Sequence, residues 1–191
     1  MRLPSRLYWE TRYVLAPRWD VPMPEALRAV LAEESARCSG GSALDLGCGA
    51  GQVALYLARR GLRVTAVDVS SLALLRARVR ARRAGVRVRL ARVDALERPL
   101  SAPGPHALVV DVGLFHGLAP GQRATYAGHM LQWLGRESTL VLMGLRPGAD
   151  RRVAGIRDGD LDRFLPELRV HSSTEVSGMG LPTVLYVLRR D

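Results

Sequence analysis

Apolar and polar positions along the chain form two alternating kinds of segment. Short runs at 43–47, 62–67, 86–91, 106–111 and 138–145 are almost unbroken in apolar character, as in Ala107-Leu108-Val109-Val110 and Leu140-Val141-Leu142-Met143. Strands covered on both faces need such runs. Between them, 51–60, 71–83 and 120–134 carry helical spacing, and a helix over 24–37 draws its stripe from Ala26, Leu27, Val30, Leu31 and Ala32. Gly61 and Gly85 stand where helices end, and Ser70 or Ser71 where one begins. The last third differs. Residues 147–158 read as an exposed loop, 159–165 as a short helix, and 168–176 and 183–188 as strands separated by Gly178-Met179-Gly180-Leu181-Pro182. A turn that short permits only antiparallel pairing. The pattern therefore predicts an α/β fold: a doubly wound, mostly parallel seven-stranded sheet ending in an antiparallel C-terminal hairpin.

The whole of 1–191 reads as a single domain. Residues 1–23 form an N-terminal arm carrying Trp9, Tyr13 and Trp19, whose prolines (Pro4, Pro17, Pro22) oppose one continuous helix. Residues 24–145 form the core, and 146–191 the hairpin and a further loop. No run approaches the roughly 20 apolar residues of a membrane span, and the N-terminal stretch lacks an apolar signal core. The expectation is a cytoplasmic protein with no membrane partner.

Charge changes this picture little. The net charge of +10 invites a nucleic-acid reading, yet all 28 basic residues are arginine, and lysine and asparagine are absent. That skew has the look of a GC-rich genome, and arginines interleaved with Ala, Val and Leu between Arg76 and Arg92 read as a solvated helix face. The missing lysine excludes a Walker-type phosphate loop, a pyridoxal Schiff base, the usual kinase ATP clamp and the Tyr–Lys pair of short-chain dehydrogenases. Two cysteines, Cys38 and Cys48, make no disulfide framework, and no His/Cys/acid cluster has metal spacing.

The candidate chemistry sits at strand ends. The first strand runs into Gly47-Cys48-Gly49-Ala50-Gly51, and the second ends in Asp68. A strand, a glycine turn, a helix and a second strand tipped with an acid make half of a nucleoside site. The dinucleotide fingerprint would place its third glycine at Gln52. A nicotinamide oxidoreductase is disfavoured on that ground and by the lack of lysine.

Leu44-Asp45-Leu46-Gly47-Cys48-Gly49-Ala50-Gly51 resembles the first motif of the class I S-adenosylmethionine-dependent methyltransferases. Val64–Ser70, Arg92–Leu96 and Ala107–Asp111 resemble the second, third and fourth. Within the family, Tyr8–Tyr13 with Ala16–Asp20, and Asp111–Leu118, resemble the small tellurite-resistance and thiopurine methyltransferase-like branch. The resemblance implies a Rossmann-like methyltransferase fold with S-adenosyl-L-methionine as cofactor. It implies that Gly47, Cys48, Gly49 and Gly51 meet the amino-acid moiety, with Asp45 ordering the turn or engaging the ammonium. Asp68 would accept both ribose hydroxyls, Asp94 and Ala95 would meet the adenine edge, and Val69 and Leu96 would sandwich the ring. Asp111 would lie beside the methyl donor, as a catalytic or an orienting group.

Methyl transfer from a sulfonium asks mainly for alignment and exclusion of water. A soft nucleophile needs no strong base; an alcohol or ammonium acceptor needs one within hydrogen-bond reach. His116 is the candidate base, and Trp9, Tyr13, Trp19, Phe115 and His116 are the candidate substrate or lid residues. The loop after Asp111 lacks the prolines common in enzymes methylating amide or exocyclic amino nitrogens. The expected partner is a small-molecule acceptor. An RNA methyltransferase and a noncatalytic cofactor-binding protein of the same fold are the alternatives.

Overall fold

The structure, a computed structural model, describes residues 5–15, 22–97, 104–176 and 180–190, with the side chains of residues 5 and 6 left aside. Seven strands form one sheet: β1 (Ser42–Leu46), β2 (Arg63–Asp68), β3 (Val88–Arg92), β4 (His106–Val112), β5 (Leu134–Leu145), β6 (Arg169–Val176) and β7 (Thr183–Arg189). Their order is β3-β2-β1-β4-β5-β7-β6. Pairings from β3 through β5 are parallel, and β7 runs antiparallel between β5 and β6. The expected doubly wound sheet and antiparallel end are both present.

Successive side chains on a strand face opposite sides, and the core divides accordingly. On one side α2 (Glu25–Arg37), α3 (Gln52–Arg59) and α4 (Ser71–Arg83) bury Leu27, Leu31, Leu57 and Leu74 against Ala43, Val64, Ala66, Leu108 and Val110. On the other, α5 (Pro120–Trp133) and a 3-10 segment at Asp158–Phe164 bury Tyr126, Met130, Trp133 and Phe164 against Leu44, Leu46, Val109 and Leu140.

Two elements differ from expectation. Residues Ser5–Leu15 form a helix, α1. Pro4 and Pro17 lie outside it, so they bound the arm's helix rather than forbid it. Strand β5 begins at Leu134, four residues early, because Leu134 pairs with His106 before the register shifts around Glu137, whose φ is 54°. No helix of the described residues is long and apolar enough to cross a membrane.

Candidate functional site

The glycine turn closes over the C-terminal end of β1. Gly51 starts α3 in the left-handed region at φ +83°, and a Cβ there would lie 2.9 Å from the Ala77 Cβ of α4. Glycine is required on both counts. Gly49 has φ +53°, and a Cβ on it would meet the Tyr13 hydroxyl at 2.6 Å. Helix α1 thus reaches over the turn and sets a phenol against it. Cys48 is buried and its thiol is pushed well up by burial, as suits a small filler.

The acids at the strand tips are each engaged. Asp45 is buried and accepts the Ala54 N–H of α3 at 2.9 Å; burial lifts its pKa to about 8, with Asp68 and Asp111 adding repulsion. Asp68 accepts the Gly49 N–H through one oxygen and the Ser70 N–H through the other, both at 2.8 Å. A carboxylate offers about four lone-pair sites, so each oxygen keeps room for a further donor. The cap of α4 is Ser70, whose hydroxyl accepts the Ala73 N–H at 3.1 Å. Asp94 accepts the Leu96 N–H at 3.0 Å and so turns the chain after β3; Ala95 is buried there, while Val69 and Leu96 are half-buried. His129 Nδ1–H donates to the Ala95 carbonyl at 3.0 Å, pinning this turn from α5.

Asp111 is fully buried. Its oxygens accept the N–H groups of Leu114 and Phe115 and the hydroxyl of Tyr126. Burial raises its pKa to about 6 against the pull of these donors. The carboxylate therefore orders the loop after β4. That loop leans Leu114 onto the turn, 3.1 Å from where a Gly47 Cβ would stand. Phe115 corrects one expectation: it is wholly buried, packed against Tyr126 and Phe164, and belongs to the core rather than to a lid.

His116 lies where the bare backbone of Gly144 lets it approach β5; a Cβ at Gly144 would be 2.9 Å from the His116 Cβ. Its Nδ1 accepts the Leu145 N–H at 2.9 Å. Arg123, also fully buried, pairs with Asp160 and donates to the Gly155 carbonyl at 2.6 Å, tying α5 to the loop that flanks His116. Trp9 on α1 is half-buried and meets Tyr8 edge-on at 5.2 Å between centroids. Trp19 lies outside the described residues. No group of His, Cys, Asp and Glu among the described residues has the arrangement to hold a metal.

Three contributors escape the sequence. Glu10 accepts the Ser71 N–H at 2.7 Å, the Ser70 hydroxyl at 2.8 Å and the Leu72 N–H at 3.3 Å, latching α1 to the start of α4. Its partners are some 60 residues away in sequence, so no local signal marks it. Tyr126 and Arg123 carry only the pattern of helix residues.

Residues 43–137 match the family model described as a methyltransferase domain. The S-adenosyl-L-methionine-dependent Diels-Alderase iliD of Neonectria sp. (strain DH2) is 34% identical over 116 residues, covering 56% of this chain and 48% of that protein. A ubiquinone biosynthesis O-methyltransferase of Xylella fastidiosa (strain 9a5c) is 32% identical, covering 74% of this chain and 65% of its own. The chain thus spans about half to two thirds of these curated relatives. Among solved structures, the N-methyltransferase NodS of Bradyrhizobium japonicum WM9 with S-adenosyl-L-homocysteine superposes with a TM-score of 0.81 at 21% identity, covering 98% of this chain and 99% of that one. Residues 43–137 thus carry the likeness to a methyltransferase domain, and the seven-stranded sheet has the fold of that solved structure.

Proposed function

We propose that this protein binds S-adenosyl-L-methionine at the C-terminal ends of β1, β2 and β4 and transfers its methyl group to a small-molecule acceptor. The observation that carries the reading is the joined geometry of turn and acid: Asp68 of β2 holds Gly49 of the turn at 2.8 Å and Ser70, at the start of α4, at 2.8 Å. The residues fit the cofactor. The turn at Gly47, Gly49 and Gly51 offers backbone to its amino-acid end, Asp45 orders that turn through the Ala54 N–H, and Asp68 suits a vicinal diol. Asp94, Ala95 and Leu96 on the turn after β3, with Val69 after β2, are the residues we assign to the flat base. When bound, the cofactor supplies a methyl group already activated on a sulfonium sulfur. The chain's part is to orient it, and α1 with the loop after β4 to exclude water. The resemblance of the arm and of Asp111–Leu118 to the tellurite-resistance and thiopurine branch supports a small acceptor.

Calorimetry tests this. S-adenosylhomocysteine is expected to bind the wild type, and Asp68→Ala to weaken it about tenfold or more, the loss of about 1.4 kcal/mol or more of charged hydrogen bonding. No heat with the wild type, or an unchanged affinity in Asp68→Ala, ends the reading.

The likeness to a Diels-Alderase favours a second reading, a cofactor-binding enzyme of this fold that moves no methyl group. The two part on one measurement: S-adenosylhomocysteine accumulates with acceptor under the first and does not under the second.

A further inference from the structure

Helix α1 has two faces, and the site uses one of them. Glu10 and Tyr13 face inward, to the start of α4 and to the glycine turn. Leu7, Tyr8, Thr11, Val14 and Leu15 stand at i, i+1, i+4, i+7 and i+8, which is one stripe of an α-helix, and all five are exposed. Leu7 is 54%, Val14 66% and Leu15 75% exposed. The Thr11 hydroxyl donates to the Leu7 carbonyl at 2.8 Å and so is satisfied inside the helix.

The stripe continues onto the neighbouring helix. Glu10 bonds the amides of Ser71 and Leu72, and the Arg76 guanidinium donates to the Tyr13 carbonyl at 3.1 Å, so α1 and α4 lie side by side and run the same way. Of the nine large apolar side chains exposed among the described residues, six are on these two helices: Leu7, Tyr8, Val14 and Leu15 on α1, and Leu75 and Val79 on α4. Exposed apolar residues scattered singly are ordinary; six on two adjoining helices form a patch, and a patch marks an interaction surface.

The charges around the patch are of one sign. At about 100° per residue, Arg78 and Arg82 fall on one flank of Leu75 and Val79, and Arg76 and Arg83 on the other. The single acid of α1 is Glu10, which is latched to α4, and α4 has no acid at all. Apolar side chains between flanking arginines, with no outward carboxylate, are the pattern of a helix lying in a lipid interface, where long arginines bury their stems and keep their charge in the headgroups. A second copy of the chain fits less well, since a symmetric contact through this face would set the arginines of α4 against one another.

We infer that the outer face of α1, with Leu75 and Val79 of α4, docks on an anionic lipid surface. The helices lie in the plane of the interface, and no spanning segment is needed. The inner face of α1 stays on the glycine turn, so the site's cover and the lipid contact are two sides of one helix. This does not depend on the chemistry proposed for the site.

Vesicle flotation of the full chain tests it. Vesicles of phosphatidylcholine with about 30% phosphatidylglycerol are expected to take up the protein at least about tenfold more strongly than phosphatidylcholine alone, at about 100 mM salt. Val14→Asp with Leu15→Asp is expected to reduce that uptake about tenfold or more, with the thermal midpoint unchanged. Bound vesicles are also expected to slow hydrogen–deuterium exchange across 5–15. Should the double variant unfold, Leu75→Asp, at an exposed position of α4, must weaken the uptake. No binding to the anionic vesicles, or equal binding to both kinds, overturns the proposal. Uptake that the α1 variant leaves intact overturns it too, since arginines alone would then carry it. A dimer seen in sedimentation and abolished by the same variant assigns the stripe to a second copy instead, and ends the lipid reading.

Discussion

His106 is a residue whose cost the fold carries for no evident chemical return. It opens β4 opposite Leu134, is 2% exposed, and neither ring nitrogen has a hydrogen-bond partner among the described residues. A buried polar group left unpaired costs about 1–3 kcal/mol. Burial also depresses its pKa from 6.5 to about 4. Between those values the unfolded chain takes up a proton that the folded chain refuses, so stability falls as pH drops from 6.5 towards 4. His116 contributes in the same direction. His106→Leu is therefore expected to raise the urea midpoint at pH 7, by about 1 kcal/mol of stability, and by more at pH 5. A variant no more stable than wild type at either pH removes this account. The same contrast separates the two histidines chemically: His116 accepts the Leu145 N–H, while His106 has no partner among the described residues.

Helix α1 turns a set of tip residues into a covered site, and Glu10 is its fastening. Burial opposes ionisation of Glu10, but the hydrogen bonds from Ser70, Ser71 and Leu72 outweigh it and hold the carboxyl below its usual value. An anion at a helix N-terminus is favourable in itself. The Arg76 guanidinium adds a bond to the Tyr13 carbonyl at 3.1 Å. Losing a cap costs about 1 kcal/mol, a small part of a domain's stability but a large part of one short helix's docking. Glu10→Ala is expected to speed hydrogen–deuterium exchange across 5–15 and to shorten the residence of S-adenosylhomocysteine several-fold, leaving exchange in β1 and β4 unchanged. Unaltered exchange in α1 would show that contacts other than Glu10, the Tyr13–Arg76 bond among them, hold it. Elements of this kind mark what the sequence reveals. Helix 71–83 and strand 106–111 are legible because their own periodicity and caps define them, and Asp68 because it ends an apolar run. The Glu10 latch, the tautomer of His116 and the early start of β5 are not legible. Each depends on a partner brought near only by the sheet: Ser71, Leu145 and His106. The insertion of β7 between β5 and β6 is hidden for the same reason, since a short turn fixes antiparallel pairing and not the order of strands. The arm's helix was obscured by prolines that flank it.

Across the whole molecule the excess of positive charge and the glycine turn lie at different places. Eight arginines stand between Arg76 and Arg92 with no acid from 69 to 93. Not all are idle: Arg76 holds Tyr13, and Arg92 donates to the Ser71 hydroxyl at 3.3 Å. Arg63, Arg78, Arg82, Arg87 and Arg89 border an open depression, and all five are exposed. Arg63 begins β2 and Asp68 ends it, so at about 3.3 Å per residue this basic end lies some 17 Å from Asp68. A polyanion laid on that depression would not thereby present a base to the methyl donor. The charge is then expected to act as a nonspecific field. A 20-nucleotide RNA should bind at about 50 mM salt with an affinity that falls steeply and linearly in log–log form, becoming undetectable by about 300 mM. Arg82→Glu with Arg87→Glu should flatten that slope by about two phosphate contacts while leaving the affinity for S-adenosylhomocysteine unchanged. RNA retained at about 300 mM salt, or RNA that tightens cofactor binding through the reciprocity any coupled pair of sites must obey, would restore the RNA methyltransferase reading. Independence of the two sites would leave Arg82 and Arg87 a nonspecific role apart from the glycine turn.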